Sequence, residues 1–204
     1  MSGMPRRAFT KVVKEKGHYQ YMFNMLHLNN GQGVFSDIAH VAGVDATDWS
    51  WSVLLADFDN DGWQDVHIAN GLMRDIRDND AAREFPRFLD EAVQNFIKKN
   101  PNAGDVDIWD AVDFDKFMNI SPSVKLMNYT FRNSGNYSFE NVSIDWGLPD
   151  KSFSNGSAYA DLDNDGDLDL VISNINDEAF IYRNNSEKLS ENHYLRIIPV
   201  ADKP

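Results

Sequence analysis

The chain has 204 residues, 42% of them hydrophobic, and its 32 Asp and Glu against 19 Lys and Arg give a formal net charge of −13. That length can bury one full core or two small ones, and the acidity excludes nucleic acid as a natural partner, since phosphate binding needs the opposite sign. The absence of cysteine removes disulfides, thiolate zinc sites and cysteine nucleophiles together, and no apolar run is long enough to span a bilayer.

Residues 1–19 form a basic lead-in without the apolar stretch of a secretion signal, so an export signal is expected upstream of this sequence. Residues 20–73 then run through a short strand ending at Asn29, an Asn30-Gly31 turn, a segment anchored by Phe35, and a connection through Gly43. The next strand, SVLLADFD, enters an acidic loop: Asp57-x-Asp59-x-Asp61-Gly62-x-x-Asp65. The loop releases directly into a further strand, DVHIAN.

The same order returns 104 residues later without a gap. Asn133, Gly135, Phe139 and Gly147 repeat Asn29, Gly31, Phe35 and Gly43, and Asp161-x-Asp163-x-Asp165-Gly166-x-x-Asp169 repeats the loop. A third copy opens with FIYRN at Asn184. From Asn174 to Asn184 is 10 residues, whereas the equivalent span from Asn70 to Asn133 is 63. An insertion of 53 residues therefore interrupts a period of 51, with about four short strands per unit. That pattern predicts an all-β fold, a partial propeller of about two blades.

The insertion, roughly residues 74–124, reads as helical. Phe85, Phe88, Leu89, Ala92, Val93, Phe96 and Ile97 recur at helical spacing, with Pro86 placed in a first turn and Asn100-Pro101 as the stop. A second helix is expected over Asp107 to Met118, and the apolar face of the excursion is expected to pack on the neighbouring blade. Residues 125–190 hold the second repeat and the start of the next; residues 191–204 form a tail.

Alternating carboxylates around a sharp glycine turn suit a hard, oxygen-seeking cation. Asp57, Asp59, Asp61 and Asp65, and Asp161, Asp163, Asp165 and Asp169, would surround one point each, with Trp63 and Asp167 offering backbone carbonyls. This predicts two Ca2+ sites. An EF-hand is excluded because position 12 is Ile68 or Ile172 inside a strand, where that motif needs a bidentate Glu. Nine acidic residues lie in the two loops, and without them the charge would be −4. Unneutralised loops should fray, so metal binding should couple to folding. Such a loop serves first as a brace for a strand–turn–strand unit. The five histidines lack metal-pair spacing, and no Gly-x-Ser-x-Gly elbow or phosphate-cradling loop occurs. Trp49, Trp51 and Trp63 cluster near the first loop, where they either pack a blade junction or offer a sugar-stacking platform.

The segments LNNGQGVFSDIA, WSVLLADFDNDGWQDVHIANG, NYTFRNSGNYSFENVS and SFSNGSAYADLDNDGDLDLVISNINDEAFIYRNN resemble FG-GAP/VCBS repeat proteins of the group that carries an ASPIC/UnbV domain. The tail NHYLRIIPVADKP is similar to the opening strand of that domain, which the sequence would cut short. The resemblance implies an integrin-α-like β-propeller, here a fragment with calcium on its blade loops. It also implies a secreted, periplasmic or cell-surface location and a non-catalytic role in adhesion or in binding a protein or glycan ligand. Two other roles remain open at this point. One is part of a polysaccharide hydrolase or lyase completed by further blades; the other is a scaffold that only presents the insertion and the downstream domain.

Overall fold

The computed structural model describes residues 6–15, 23–75, 78–102, 104–105, 107–195 and 197–199. After helix α1 (Arg6–Lys14), strands β1 (His27–Asn29) and β2 (Phe35–Asp37) pair antiparallel, with Leu28 opposite Ser36. A one-turn helix α2 (Ala39–Ala42) ends on Gly43, whose φ of 78 is left-handed and closes the helix C-terminus. The loop strands follow as β3 (Ser50–Ala56) and β4 (Asp65–Asn70), and every residue of β4 is buried.

A strand buried along its whole length needs hydrogen-bond partners on both edges. β4 takes β3 on one side and β6 (Tyr129–Asn133) on the other, with Val66 opposite Phe131 and Ile68 opposite Tyr129. β7 (Phe139–Asn141) completes a four-stranded antiparallel sheet in the order β3-β4-β6-β7. The second sheet repeats the plan with β9 (Ser154–Ala160), β10 (Asp169–Asn174) and β11 (Phe180–Tyr182), and β9 packs across β3. A small ladder joins β5 (Leu126–Met127) to β8 (Lys151–Ser152), and a short helix α6 (Ser186–Leu189) ends the second unit.

The sheets are offset from the sequence repeat by two strands. β3 and β4 come from the first repeat and β6 and β7 from the second, so each sheet straddles a repeat boundary. The all-β reading holds at this level: the described residues form mostly antiparallel sheets with a few helices, and they make no closed ring.

Each sheet has its own apolar core, and the two cores share five equivalent positions. Val44, Val66, Ile68 and Phe131, with Tyr129 against them, match Leu148, Leu170, Ile172, Tyr182 and Phe180. At Gly71 the backbones of the two units come close together. A Cβ there would fall 2.4 Å from the Ser154 amide nitrogen and 2.6 Å from Phe153, so only glycine fits.

The insertion lengthens one connection between adjacent antiparallel strands, β4 and β6; the matching connection from β10 to β11 needs only residues 175–179. Helix α3 runs Asn79–Lys99 and begins earlier than the apolar spacing suggests, because the Asp78 carboxylate caps it by accepting from the amides of Asp80 (2.9 Å) and Ala81 (2.7 Å). Pro86 therefore lies inside the helix and not in its first turn. The expected second helix is two short ones, α4 (Ile108–Ala111) and α5 (Phe114–Met118), each capped by an Asp carboxylate, Asp107 or Asp113. The apolar face of α3 meets these helices: the Phe117 ring sits 4.9 Å from Phe85, and Trp109 stands 5.9 Å from the same ring. Phe117 on α5 thus gives that face a partner within the insertion itself, where apolar spacing alone suggested the neighbouring blade.

Candidate metal centre

Both acidic loops join the strands of a β-hairpin, β3 to β4 and β9 to β10, and left-handed residues fold them back. Asn60 and Gly62 (φ 56 and 90) are matched by Asn164 and Gly166 (φ 62 and 96). In the first loop the Asp61 amide donates to Asp57 Oδ1 (3.0 Å) and Asp59 Oδ1 (3.1 Å), and the Gly62 amide donates to Asp57 Oδ2 (2.9 Å). These bonds turn the carboxylates inward. Asp57, Asp59 and Asp61 bring one oxygen each within 4.8 Å of the others, and Asp161, Asp163 and Asp165 do the same. Asp161 Oδ1 is buried and meets no donor among the described residues.

Asp65 and Asp169 stand outside these triads and do a different job. Asp65 accepts from the amides of Phe58 (3.0 Å) and Asn133 (2.9 Å); Asp169 accepts from those of Leu162 (2.9 Å) and Asn184 (2.8 Å). Each fully or almost fully buried carboxylate thus ties the second residue of its loop to the end of the next strand. Each oxygen keeps a further lone pair. Of the two residues expected to offer carbonyls, Trp63 leaves its side chain 56% exposed, whereas the Asp167 side chain is wholly buried.

Burial, and then the crowding of charge, shifts these carboxyls. Burial pushes the Asp65 carboxyl up to about 6 against the two amides that stabilise its anion. Burial, with the Glu187 carboxyl beside it, pushes Asp167 up to about 6 as well. Asp59 is raised by burial and by Asp61. Asp165 goes the other way because the Arg183 guanidinium holds it down.

Residue-level reading of the sequence missed the arginines. Arg183 Nη2 lies 2.6 Å from Asp163 and 2.9 Å from Asp165; its counterpart Arg132 lies 3.7 Å from Asp59. The signal was the Arg-Asn pair in both YTFRN and FIYRN. The repeated asparagines also carry structural bonds. Asn133 Nδ2 donates to Gln64 O (3.1 Å), and Asn184 Nδ2 donates to Leu168 O (3.2 Å) and, across the units, to Phe58 O (2.7 Å). The tail joins the same network: Asn192 Nδ2 donates to Asp59 O (2.9 Å), and the Tyr194 ring fills the space that a Cβ on Gly166 would take. No strand is formed by the described residues of the tail; Arg196 and residues 200–204 lie outside them.

His67 is buried in β4, with Nδ1 2.9 Å from Thr130 Oγ1, and burial draws its pKa down to about 4. It lines a cavity of about 60 Å³ between the two sheets, with Phe58, Leu170 and Tyr182. Trp49 and Trp51 stand with ring centroids 6.1 Å apart. No helix among the described residues is long and apolar enough to cross a membrane.

The chain is similar to cartilage acidic protein 1 of Mus musculus, 31% identical over 193 residues, and to that of Xenopus tropicalis, 30% identical over 197 residues. Both matches take in 86% of this chain, which spans 29% of the length of these relatives. The FG-GAP-like repeat family matches residues 17–68, the segment that holds β1 to β3, the first acidic loop and the start of β4. Through those residues the chain carries an FG-GAP-like repeat.

Proposed function

We propose that this chain is a calcium-stabilised β-propeller segment serving as a non-catalytic binding or adhesion module of an exported or cell-surface protein, with a protein or glycan as ligand. The observation that carries the reading is the pair of equivalent acidic triads, built at the same hairpin of two successive sheets. Three carboxylate oxygens held within 4.8 Å of one another repel, by about 1 kcal/mol per pair even at the dielectric of water. A divalent cation reverses that sign. The donor set is all carboxylate, which suits calcium over softer metals, and a bound cation would answer the buried Asp161 Oδ1, which meets no donor among the described residues.

Asp57, Asp59 and Asp61, and Asp161, Asp163 and Asp165, would hold the ions, with Asp65 and Asp169 completing each loop from below and the Trp63 and Asp167 carbonyls adding oxygen donors. The ions would pin the hairpins and leave recognition to other surfaces. The tail is read as the opening of an ASPIC/UnbV-like domain, and the export and partners of the whole protein belong to the same proposal. Chelation with EGTA should lower the thermal midpoint, and calcium should restore it better than equimolar magnesium. An unchanged midpoint in both steps would overturn the metal assignment.

A further inference from the structure

The second loop contains a carboxylate group that the first lacks. Asp165, Asp167 and Glu187 place one oxygen each within 4.8 Å of the others, Glu187 coming from α6 and the aspartates from the loop. Asp167 is fully buried. Its Oδ2 accepts from Ser186 Oγ (3.2 Å) and lies 3.5 Å from the Glu187 amide, but its Oδ1 meets no donor among the described residues. Glu187 repeats the pattern: Lys188 reaches Oε1, while Oε2 is buried and meets no donor among the described residues. Asp165 is partly neutralised by Arg183 at 2.9 Å. Carboxylate oxygens are not left buried and bare without a compensating charge.

We infer that Asp165, Asp167 and Glu187 form an additional divalent-cation site beside the second loop, sharing Asp165 with the loop triad. The side chain of Asp167 is then the ligand here, in addition to any part its carbonyl plays in the loop. Three carboxylates, with water filling the remaining positions, suit a hard cation that takes six to eight oxygens. The first loop is the internal control. Trp63 stands where the second loop has Asp167, and Asn136 stands at the repeat position of Glu187, so that loop cannot build the site. The choice of calcium as the ion rests on the reading of the loops proposed above.

Native mass spectrometry of the full chain in calcium counts ions on the folded species alone. Glu187→Gln, which keeps shape and removes charge, should carry one calcium fewer than the wild type, and Asp167→Asn should do the same. Asp59→Ala should remove a different ion, from the first loop, and leave that difference of one intact. Equal non-zero counts in wild type and Glu187→Gln would overturn the additional site and leave the loop sites standing; the pair would then be sharing a proton. Equal counts of zero would overturn both readings.

Discussion

Two kinds of aspartate share each loop, and substitution should separate them. Asp59 sits in the loop triad, where its charge is a burden without a cation. Asp59→Ala should abolish calcium binding at the first loop while leaving the stability measured in EGTA unchanged or raised by up to about 1 kcal/mol. Asp65 sits beneath, answering two buried amides. Asp65→Ala should cost about 2–4 kcal/mol in urea denaturation even in EGTA, because the Phe58 and Asn133 amides lose their acceptor. Equal costs for the two variants would refute this division. Arg183 is a half-exposed competitor for the second triad, in a solvent-screened pair that holds only weakly. Arg183→Gln should therefore tighten calcium binding at that loop by roughly twofold to fivefold in a calorimetric titration. The spacing of the acids was legible in the sequence because a period of two residues around a glycine is a local pattern. The division of labour was not. It depends on which carboxylates the incoming amides of Asn133 and Asn184 reach, a contact made from 68 and 15 residues away.

Strands and turns were legible for the same local reason, and helices less so. The acidic loops, their flanking strands and the Gly43 and Gly147 turns lie where their residues place them. The start of α3 does not follow apolar spacing, since the Asp78 cap begins the helix well before the first turn suggested by Pro86. The docking of that helix on Phe117 involves a partner about 30 residues away that periodicity cannot assign. Because the insertion joins two neighbouring strands, its length costs little loop-closure entropy. A chain with residues 74–124 replaced by a connection like residues 175–179 should fold and keep its calcium-dependent rise in thermal midpoint; loss of that rise would show that the helices hold the first loop in place. Gly71 is the opposite case, where backbone meets backbone. Gly71→Ala should destabilise by about 1–3 kcal/mol, read as a lower urea midpoint with the calcium response retained.

Over the whole molecule, charge is concentrated. Nine of the 32 acidic residues lie in the two loops, against a formal net charge of −13. Salt screens exposed charges over about 8–10 Å at ordinary ionic strength. Raising sodium chloride should therefore stabilise the calcium-free chain and narrow the gap in thermal midpoint between its calcium-loaded and EGTA-treated forms. A gap that widens with salt would mean that loop repulsion is not what the cation relieves. The repeat and its period were legible at this scale, but the phase of the sheets was not, since a pattern that recurs identically has no marked beginning. Burial of β4 on both edges sets that phase, drawing β6 and β7 onto the sheet begun by β3.

The two-strand offset bears on how such a molecule can change over evolutionary time. A duplicated repeat arrives carrying half a sheet at either end, and each half meets the complement left by its neighbour. Units can then be added or lost by simple unequal exchange, without inventing a new edge or a new terminus, and the acidic loop travels inside the copied segment. Asn184 donating to Phe58 O is the same overlap at the scale of one bond, a shingle laid across the seam beneath it.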